Sequence, residues 1–226
     1  MFARYTIFYT PPPGDLFEFA ARWLGWDSRA GRAMDHLDLD GIDVAGVTAT
    51  PRKYGFHGTV KAPFRMVDGQ NRAALEAALE GFARDRAAVV LDGLELSVDH
   101  GFLALRPKTE SRELAALAAD VVRQFDPFRA PLTDGDIARR RKAGLSPRQD
   151  KQMLDWGYPY IFDDFNFHLT LSGRLAPSEC ADLLRRVEPL IAPHLAKPYR
   201  IGALAVMGEA SEDGLFHELS RVELTG

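Results

Sequence analysis

The chain has little cysteine, no long apolar run and no surplus of positive charge, and each shortage excludes a class of protein. Its 226 residues include one cysteine, Cys180, which excludes an internal disulfide and a zinc site built on several thiolates. No apolar stretch approaches the roughly 20 residues that a membrane-spanning helix needs. The first residues lack the basic segment and apolar core of a signal peptide, so we expect a cytoplasmic protein without a membrane partner.

The formal net charge of -4 argues against a protein that coats long nucleic acid, because that binding depends on many phosphate contacts. A local basic cleft can still bind a small anionic substrate. The sequence contains no P-loop, no Rossmann glycine motif and no nucleophile elbow. A kinase-like protein, a dinucleotide-binding protein and an α/β-hydrolase therefore lack support. Hydrophobic residues make up 46% of the chain, as in ordinary globular proteins, and we expect one domain over residues 1–226.

Periodicity and turn residues predict an alternation of strands and helices. The predicted strands are 4–10, 54–62, 88–98, 101–106, 165–172, 199–207 and 215–224. The predicted helices are 16–26, with Asp15 as its cap, 71–84, 111–125 and 177–191. Residues 28–50 are predicted as loop with one helical turn, and 127–163 as an irregular insertion with short helices at 137–143 and 147–156.

The second half of the chain repeats the order of elements in the first. His57 and His168 are 111 positions apart. The same shift places helix 71–84 on 182–195 and strand 88–97 on 199–208. A repeat of this kind indicates an internal duplication, which would bring two equivalent strands to a common cleft.

The two strands carry the same motif, H-x-T, at His57–Thr59 and His168–Thr170. Side chains two residues apart on a strand share a face, so each motif presents one imidazole and one hydroxyl. A neutral imidazole can take a proton from an attacking water or hydroxyl while a protonated one gives a proton to the leaving oxygen. The hydroxyls can donate to phosphoryl oxygens, so the chemistry predicted is phosphoryl transfer without a metal. A single copy would more often be a buried structural histidine, but core packing does not explain the same polar pair twice.

This pair of motifs, each in an apolar strand, resembles the two-histidine phosphoesterase superfamily of RNA ligase-like proteins and cyclic phosphodiesterases. The stretches 52–64 and 156–160 are similar to a bacterial subgroup encoded in phosphonate-utilisation operons. The resemblance implies an α+β fold of two pseudo-symmetric lobes, with antiparallel sheets flanking a central cleft and helices outside. It implies metal-independent attack on a cyclic or linear phosphodiester of a small nucleotide- or sugar-derived substrate, such as a ribosyl cyclic phosphate. By motif position, His57 and His168 are implied as the acid–base pair and Thr59 and Thr170 as donors to the phosphoryl oxygens.

Four further residues are candidates for substrate binding. Lys61 continues the alternation of His57 and Thr59, although a solvated strand end explains it equally well. Arg52 and Tyr54 enter the first motif strand, and Tyr160 precedes the second, where it could stack on a base or simply pack. The run 139–142 is interpreted as a solvated helix face rather than a phosphate site. No cofactor or metal is predicted, because the other histidines share no ligand spacing.

Two alternatives stay open beside the phosphodiesterase. One is a non-catalytic module of the same fold that binds a nucleotide or an RNA end, and the other is a phosphodiesterase or ligase acting on RNA ends. Retention of both histidines and both threonines favours an enzyme, and the acidic balance disfavours structured RNA. Which histidine is the acid, and the oligomeric state, stay open at this stage.

Overall fold

A computed structural model describes all residues from Met1 to Gly226. The strands are β1 (Phe2–Tyr9), β2 (Trp26–Asp27), β3 (Arg32–Ala33), β4 (Gly58–Phe64), β5 (Val89–Leu91), β6 (Leu94–Asp99), β7 (Phe102–Pro107), β8 (Leu169–Thr170), β9 (Tyr199–Ile201), β10 (Ala203–Ala210) and β11 (Phe216–Glu223). The helices are α1 (Asp15–Leu24), α2 (Val44–Arg52), α3 (Arg72–Arg84), α4 (Arg112–Gln124), α5 (Asp134–Arg141), α6 (Pro147–Trp156) and α7 (Pro177–Ile191). No helix has the length and apolar character needed to cross a membrane.

Seven strands form one antiparallel sheet in the order β11-β10-β1-β4-β8-β7-β6. The α+β class and the antiparallel pairing are therefore confirmed, with the two halves joined edge to edge at β4 and β8. Each motif strand lies on the side of the other half's hairpin. Strand β4 of the first half pairs with β1, which pairs with β10 of the β10–β11 hairpin in the second half. Strand β8 of the second half pairs with β7 of the β6–β7 hairpin in the first half. Helices α3, α4 and α7 pack against this sheet through one continuous core.

The duplication predicted from the sequence is confirmed by the order and pairing of elements. Strand β4 is followed by α3 and β5–β7, and β8 is followed by α7 and β9–β11. The residue pair that joins β4 to β8 is Gly58 and Leu169, which are equivalent positions of the two H-x-T motifs. Strands β5 and β9, which also correspond between the two halves, pair with each other in antiparallel fashion. Because equivalent residues face each other in antiparallel strands, a local twofold axis passes through the centre of the motif pair.

The motif strands are shorter than predicted. Strand β4 covers residues 58–64 rather than 54–62, and β8 covers two residues rather than 165–172. Pro63 does not end β4. The register between β4 and β1 is irregular at this point, so the sheet does not require a hydrogen bond from the backbone nitrogen of Pro63. The predicted strands 88–98 and 199–207 each break into two. The first piece of each forms the small β5–β9 sheet, and the second joins the large sheet.

Polar side chains cap the starts of most helices, but not those of α1 and α7. Side chains of Asn71 and Ser111 accept hydrogen bonds from the backbone at the starts of α3 and α4. Asp15 is not the cap of α1, because Gly14 holds that position and Asp15 is the first helical residue. The predicted loop at 28–50 contains strand β3 and most of the nine-residue helix α2. Its glycines and the lack of a clear period gave no helix signal.

The insertion places α5 beside the end of β4. Both predicted short helices of the insertion are present, and each begins with a capping box. The Arg65 guanidinium, just beyond β4, donates to the Asp136 carboxylate of α5 at 2.6 Å. Hydrogen bonds from Arg65, Thr133 and Arg139 lower the pKa of Asp136, so the carboxylate stays charged and keeps α5 attached.

Gly58 is expected to tolerate no side chain, because a Cβ there would overlap the Phe167 ring. Gly58→Ala should lower the free energy of unfolding by roughly 1–3 kcal/mol, measured by urea denaturation. Gly81→Ala is the matched control, since its Cβ meets nothing within 4 Å and lies inside a helix. The control should be stabilising by about 0.5–1 kcal/mol. Equal stability of Gly58→Ala and wild type would contradict the tight packing at the motif centre.

Candidate active site

His57 is held in one tautomer by the backbone just before β4. Its Nδ1 lies 2.9 Å from the Gly55 carbonyl oxygen, which can only accept, so Nδ1 carries the hydrogen. Gly55 makes this turn with a φ of 70°, which favours glycine. The other nitrogen, Nε2, lies 3.2 Å from the Thr59 hydroxyl and accepts from it. Phe8 stacks on the ring at 3.8 Å between centroids and fixes its plane.

His168 repeats this arrangement at the start of β8. Its Nδ1 lies 2.8 Å from the Asn166 carbonyl oxygen, again two residues earlier in the chain. The Phe102 ring packs against the imidazole with centroids 5.5 Å apart. In the neutral imidazole this bond leaves Nε2 as the nitrogen that can exchange a proton with a ligand.

The two motifs line adjoining parts of one cleft. The first chamber, about 270 Å³ in volume, is lined by His57, Thr59 and Thr170. The second chamber, about 530 Å³, is lined by His168 and again by Thr59. Tyr158 also lines both chambers. The structure therefore brings all four motif side chains to the two chambers, and Thr59 stands where they meet.

Burial and charge act differently on the two imidazoles. Burial and, to a smaller extent, the positive charge that His168 can carry lower the pKa of His57 to about 4, although the hydrogen bond to the Gly55 carbonyl opposes them. Burial also lowers the pKa of His168, but the Asn166 carbonyl and the Asp99 carboxylate oppose this effect. Both rings are therefore neutral at pH 7 in the free protein, and only His168 has a nearby carboxylate to stabilise its charged form.

The carboxylate near His168 belongs to a small polar network that the sequence did not reveal. The Asn166 amide donates to Asp99 at 3.1 Å, and Arg106 donates to the Asn166 side-chain oxygen at 2.6 Å. Arg106 also lies 3.4 Å from the other Asp99 oxygen. This network orients Asn166, whose backbone carbonyl orients His168. The only sequence signal is the spacing, since Asn166 precedes His168 by two positions as Gly55 precedes His57.

Two of the four candidate binding residues lie in the cleft. Tyr54 lines the first chamber, with its ring 5.8 Å from that of His57, and packs on Phe216. Tyr160 lines the second chamber and is 40% exposed. Their contact with a substrate stays a prediction.

Lys61 does not follow the alternation of His57 and Thr59, because a β-bulge intervenes. Consecutive residues of β1 pair with Thr59 and Lys61, so β4 contains one extra residue between them. The bulge turns Lys61 toward α4, where its ammonium lies 3.2 Å from the Val122 carbonyl and 3.4 Å from Asp126. Burial lowers its pKa to about 8. Lys61 therefore lines neither chamber.

The structure also changes the interpretation of two arginines, Arg52 and Arg140. Arg52 donates to His36 at 3.3 Å and lines neither chamber, so the structure does not bring it to the motifs. Arg140 belongs to the run interpreted as a solvated helix face, yet it lines the first chamber together with Arg4. Its guanidinium lies 5.0 Å from the Tyr158 ring centre. The sequence could not separate Arg140 from its basic neighbours, because only tertiary packing distinguishes them.

Metal-ligating side chains do not converge anywhere in the chain. No group of three or more histidine, cysteine, aspartate or glutamate side chains is arranged to hold a metal ion. Asp164, which lies near His168 in sequence, instead accepts hydrogen bonds from Arg148 and Gln152. Metal independence of the chemistry stays a prediction.

The fold and the cleft define an α+β protein in which a local twofold axis pairs two H-x-T motifs. The chain belongs to the family described as protein of unknown function DUF1045, whose family model matches residues 59–217. A relative from Janthinobacterium sp. (strain Marseille), named ribose 1,5-bisphosphate phosphokinase PhnN, is 33% identical over 99% of this chain and 51% of its own length. A relative of the same name from Laribacter hongkongensis (strain HLHK9) is 31% identical over 92% of this chain and 49% of its own length. The chain thus spans about half the length of these curated relatives.

Solved structures resemble the chain more distantly. A crystal structure of a phosphoesterase aligns with 99% of each chain at 15% identity and a TM-score of 0.43. A structure of E. coli LigT complexed with NADP+ aligns with 100% of this chain and 99% of its own, at 16% identity and a TM-score of 0.44.

The Asp99 carboxylate should hold the titration of His168 at higher pH than burial alone would allow. Asp99→Asn removes the negative charge, so the pKa of His168 should fall further. Two-dimensional NMR of the histidine ring signals during a pH titration measures this change. A His168 titration that does not move would contradict the role of Asp99.

Proposed function

We propose that the chain is a phosphodiesterase that hydrolyses a cyclic phosphodiester, or a linear one, of a small nucleotide- or sugar-derived substrate. The observation that carries the proposal is the pairing of Gly58 with Leu169, which presents two equivalent H-x-T motifs to one cleft. In both motifs a backbone carbonyl binds Nδ1 and leaves Nε2 for proton transfer. Two imidazoles and two hydroxyls are the groups that in-line attack on phosphorus needs.

We assign His57 as the general base. Its ring lies between Phe8 and Tyr54, no carboxylate stabilises its charged form, and its Nε2 lone pair is ready to accept a proton. In the reaction, Nε2 takes a proton from a water as the water oxygen bonds to phosphorus. The lowered pKa keeps the imidazole neutral over most of the pH range, as a base requires.

His168 then acts as the general acid. Asp99 stabilises its imidazolium, and the negative phosphodiester would stabilise it further on binding. As the phosphorus–oxygen bond to the leaving group breaks, Nε2 of the imidazolium gives its proton to the leaving oxygen. The products are a phosphomonoester and a hydroxyl, which remain on one molecule when the substrate is cyclic.

The two threonines stabilise the negative charge that grows on the phosphoryl oxygens. Thr59 stands where the two chambers meet, and Thr170 lines the first chamber. Their hydroxyls can donate to the two non-bridging phosphoryl oxygens, where negative charge grows in the transition state. In the free protein the Thr59 hydroxyl is bound to His57, so substrate binding would rotate it toward phosphate.

A phosphorylated ribose derivative is the substrate class we favour. The curated relatives are named for a kinase of ribose 1,5-bisphosphate, and this chain matches about half of their length. Since the chain has no P-loop, we propose that it hydrolyses a phosphodiester of such a sugar rather than phosphorylating it. The sequence resemblance to a phosphonate-operon subgroup supports a ribosyl cyclic phosphate.

Replacing either histidine should abolish most turnover, but in different ways. His57→Ala should lose roughly 100- to 10,000-fold in kcat on any substrate, because the base is always needed. His168→Ala should lose as much on an alkyl leaving group but much less on p-nitrophenolate, which leaves without a proton. The assay uses a panel of 2′,3′-cyclic nucleotides, ribose cyclic phosphates and p-nitrophenyl diesters in the presence of EDTA.

His194→Ala is the matched control, since His194 packs on Phe19 and lines neither chamber. It should keep wild-type turnover. Equal sensitivity of both cleft variants to the leaving group would overturn the acid and base assignment. Activity that EDTA abolishes would overturn the metal-independent mechanism, and ligand binding without turnover would favour a binding module.

The pH profile of kcat/KM should be bell-shaped and lie on the acid side of pH 6.5. Activity should fall below about pH 4 as His57 becomes protonated. It should also fall as pH rises through the lowered pKa of His168, because the acid loses its proton. Steady-state rates with a substrate that does not titrate between pH 3 and 9 measure the profile. An optimum above pH 7 would contradict the effect of burial on both rings.

A further inference from the structure

The first chamber has a basic wall that the hydrolytic mechanism does not use. Arg4 from β1 and Arg140 from α5 line this wall, next to Ala62 and Pro63. Arg4 already has a partner, because its guanidinium donates two hydrogen bonds to Glu209, a carboxylate that Lys53 also contacts. Arg140 has no such partner, and its Nε is buried without a hydrogen bond.

The arginines on either side of Arg140 both have carboxylate partners. Arg139 pairs with Asp136 at 2.7 Å, and Arg141 pairs with Asp150 at 2.7 Å. Of three consecutive arginines, only the one that lines the chamber lacks a carboxylate. Burial lowers the pKa of Arg140, because removing its charge from water without a counter-ion is unfavourable. A bound anion would relieve this cost.

The Arg140 guanidinium is also held in position without a ligand. It lies over the Tyr158 ring, 5.0 Å from its centre, and Tyr158 lines the chambers on both sides. The Arg65–Asp136 pair fixes α5 against the end of β4. Such prior ordering leaves the planar fork of the guanidinium available for the oxygens of a phosphate.

The position along β4 separates this anion site from the reacting phosphate. Thr59 and Ala62 are three residues apart in the chain, but the bulge leaves them opposite about two residues of β1, which is roughly 6 Å along the strand. A phosphodiester held by Thr59 and Thr170 would therefore be a different group from the one beside Ala62 and Arg140. The chamber of about 270 Å³ has room for a sugar between them.

We propose that Arg140 binds a second anionic group of the substrate, so that the preferred substrate is a cyclic phosphodiester that also carries a phosphomonoester. This inference rests on the proposed function, since it names the substrate class of the same cleft. Arg140 comes from the insertion and has no counterpart in the duplicated elements. The insertion therefore determines specificity, while the duplicated strands supply the acid, the base and the hydroxyls.

The test compares substrates that differ only in the second phosphate. Adenosine 2′,3′-cyclic phosphate is assayed with and without a 5′-phosphate, using wild type, Arg140→Gln and Arg140→Met. Both variants should lose roughly 10- to 100-fold in kcat/KM on the 5′-phosphorylated ester and change less than about twofold on the other. Lys142→Gln removes a neighbouring exposed charge and should keep the wild-type preference. The comparison uses whichever Arg140 variant melts close to wild type.

A binding measurement separates this inference from the proposed function. Calorimetry compares adenosine 3′,5′-bisphosphate with adenosine 3′-monophosphate on the same proteins. If the wild type hydrolyses neither ester but binds the bisphosphate more tightly, and Arg140→Gln removes that preference, the proposed function fails and the anion site stands. If both esters are hydrolysed and Arg140→Gln affects them equally, the function stands and the anion site is wrong. Absence of any wild-type preference for the second phosphate, in turnover and in binding, would also overturn the anion site.

Discussion

The arrangement of the two H-x-T motifs depends on one short contact, the antiparallel pairing of Gly58 with Leu169. This is the only residue pair between β4 and β8, so the strands need other support to stay in register. Strand β8 receives it from β7, where the Leu103 carbonyl accepts from the backbone of Leu171 and Ser172. The Trp23 indole of α1 donates to the Leu171 carbonyl. The single residue pair between β4 and β8 would hold these strands together only weakly, so the packed core around them supplies the remaining support.

Duplication makes the two imidazoles equivalent in backbone geometry, and the surroundings then make them different. Each Nδ1 is bound by the carbonyl two residues earlier, which is a consequence of the shared strand start. Around His57 lie aromatic rings that offer no charge, whereas His168 has Asp99 behind it. An acid and a base can therefore arise from one repeated motif, because the pKa of each ring follows its neighbours rather than its own strand.

The sequence predicted the parts of the fold that local patterns encode. The order of elements, the long helices and the equivalence of the two motifs follow from periodicity and repetition, and the structure confirms them. The position of Lys61 could not be predicted, since a single extra residue in β4 reverses the face of everything after it. The roles of Asp99 and Arg140 could not be predicted from the sequence for another reason. Their roles come from contacts between segments far apart in the chain, which no local pattern records.

The insertion breaks a symmetry that would otherwise limit the cleft. A perfectly duplicated site presents the same groups from both sides, so it can orient a phosphate but not choose which end of an asymmetric substrate enters each chamber. Helix α5 contributes Arg140 to the first chamber alone, while Asp99, Asn166 and Tyr160 line only the second. A negatively charged substrate with two unlike ends would then bind in one direction, because the first chamber offers a half-buried guanidinium ordered by Tyr158, whereas Arg174 of the second chamber is exposed to water. Directional binding would also fix which imidazole faces the leaving oxygen, so the same asymmetry that selects the substrate would set the roles of base and acid.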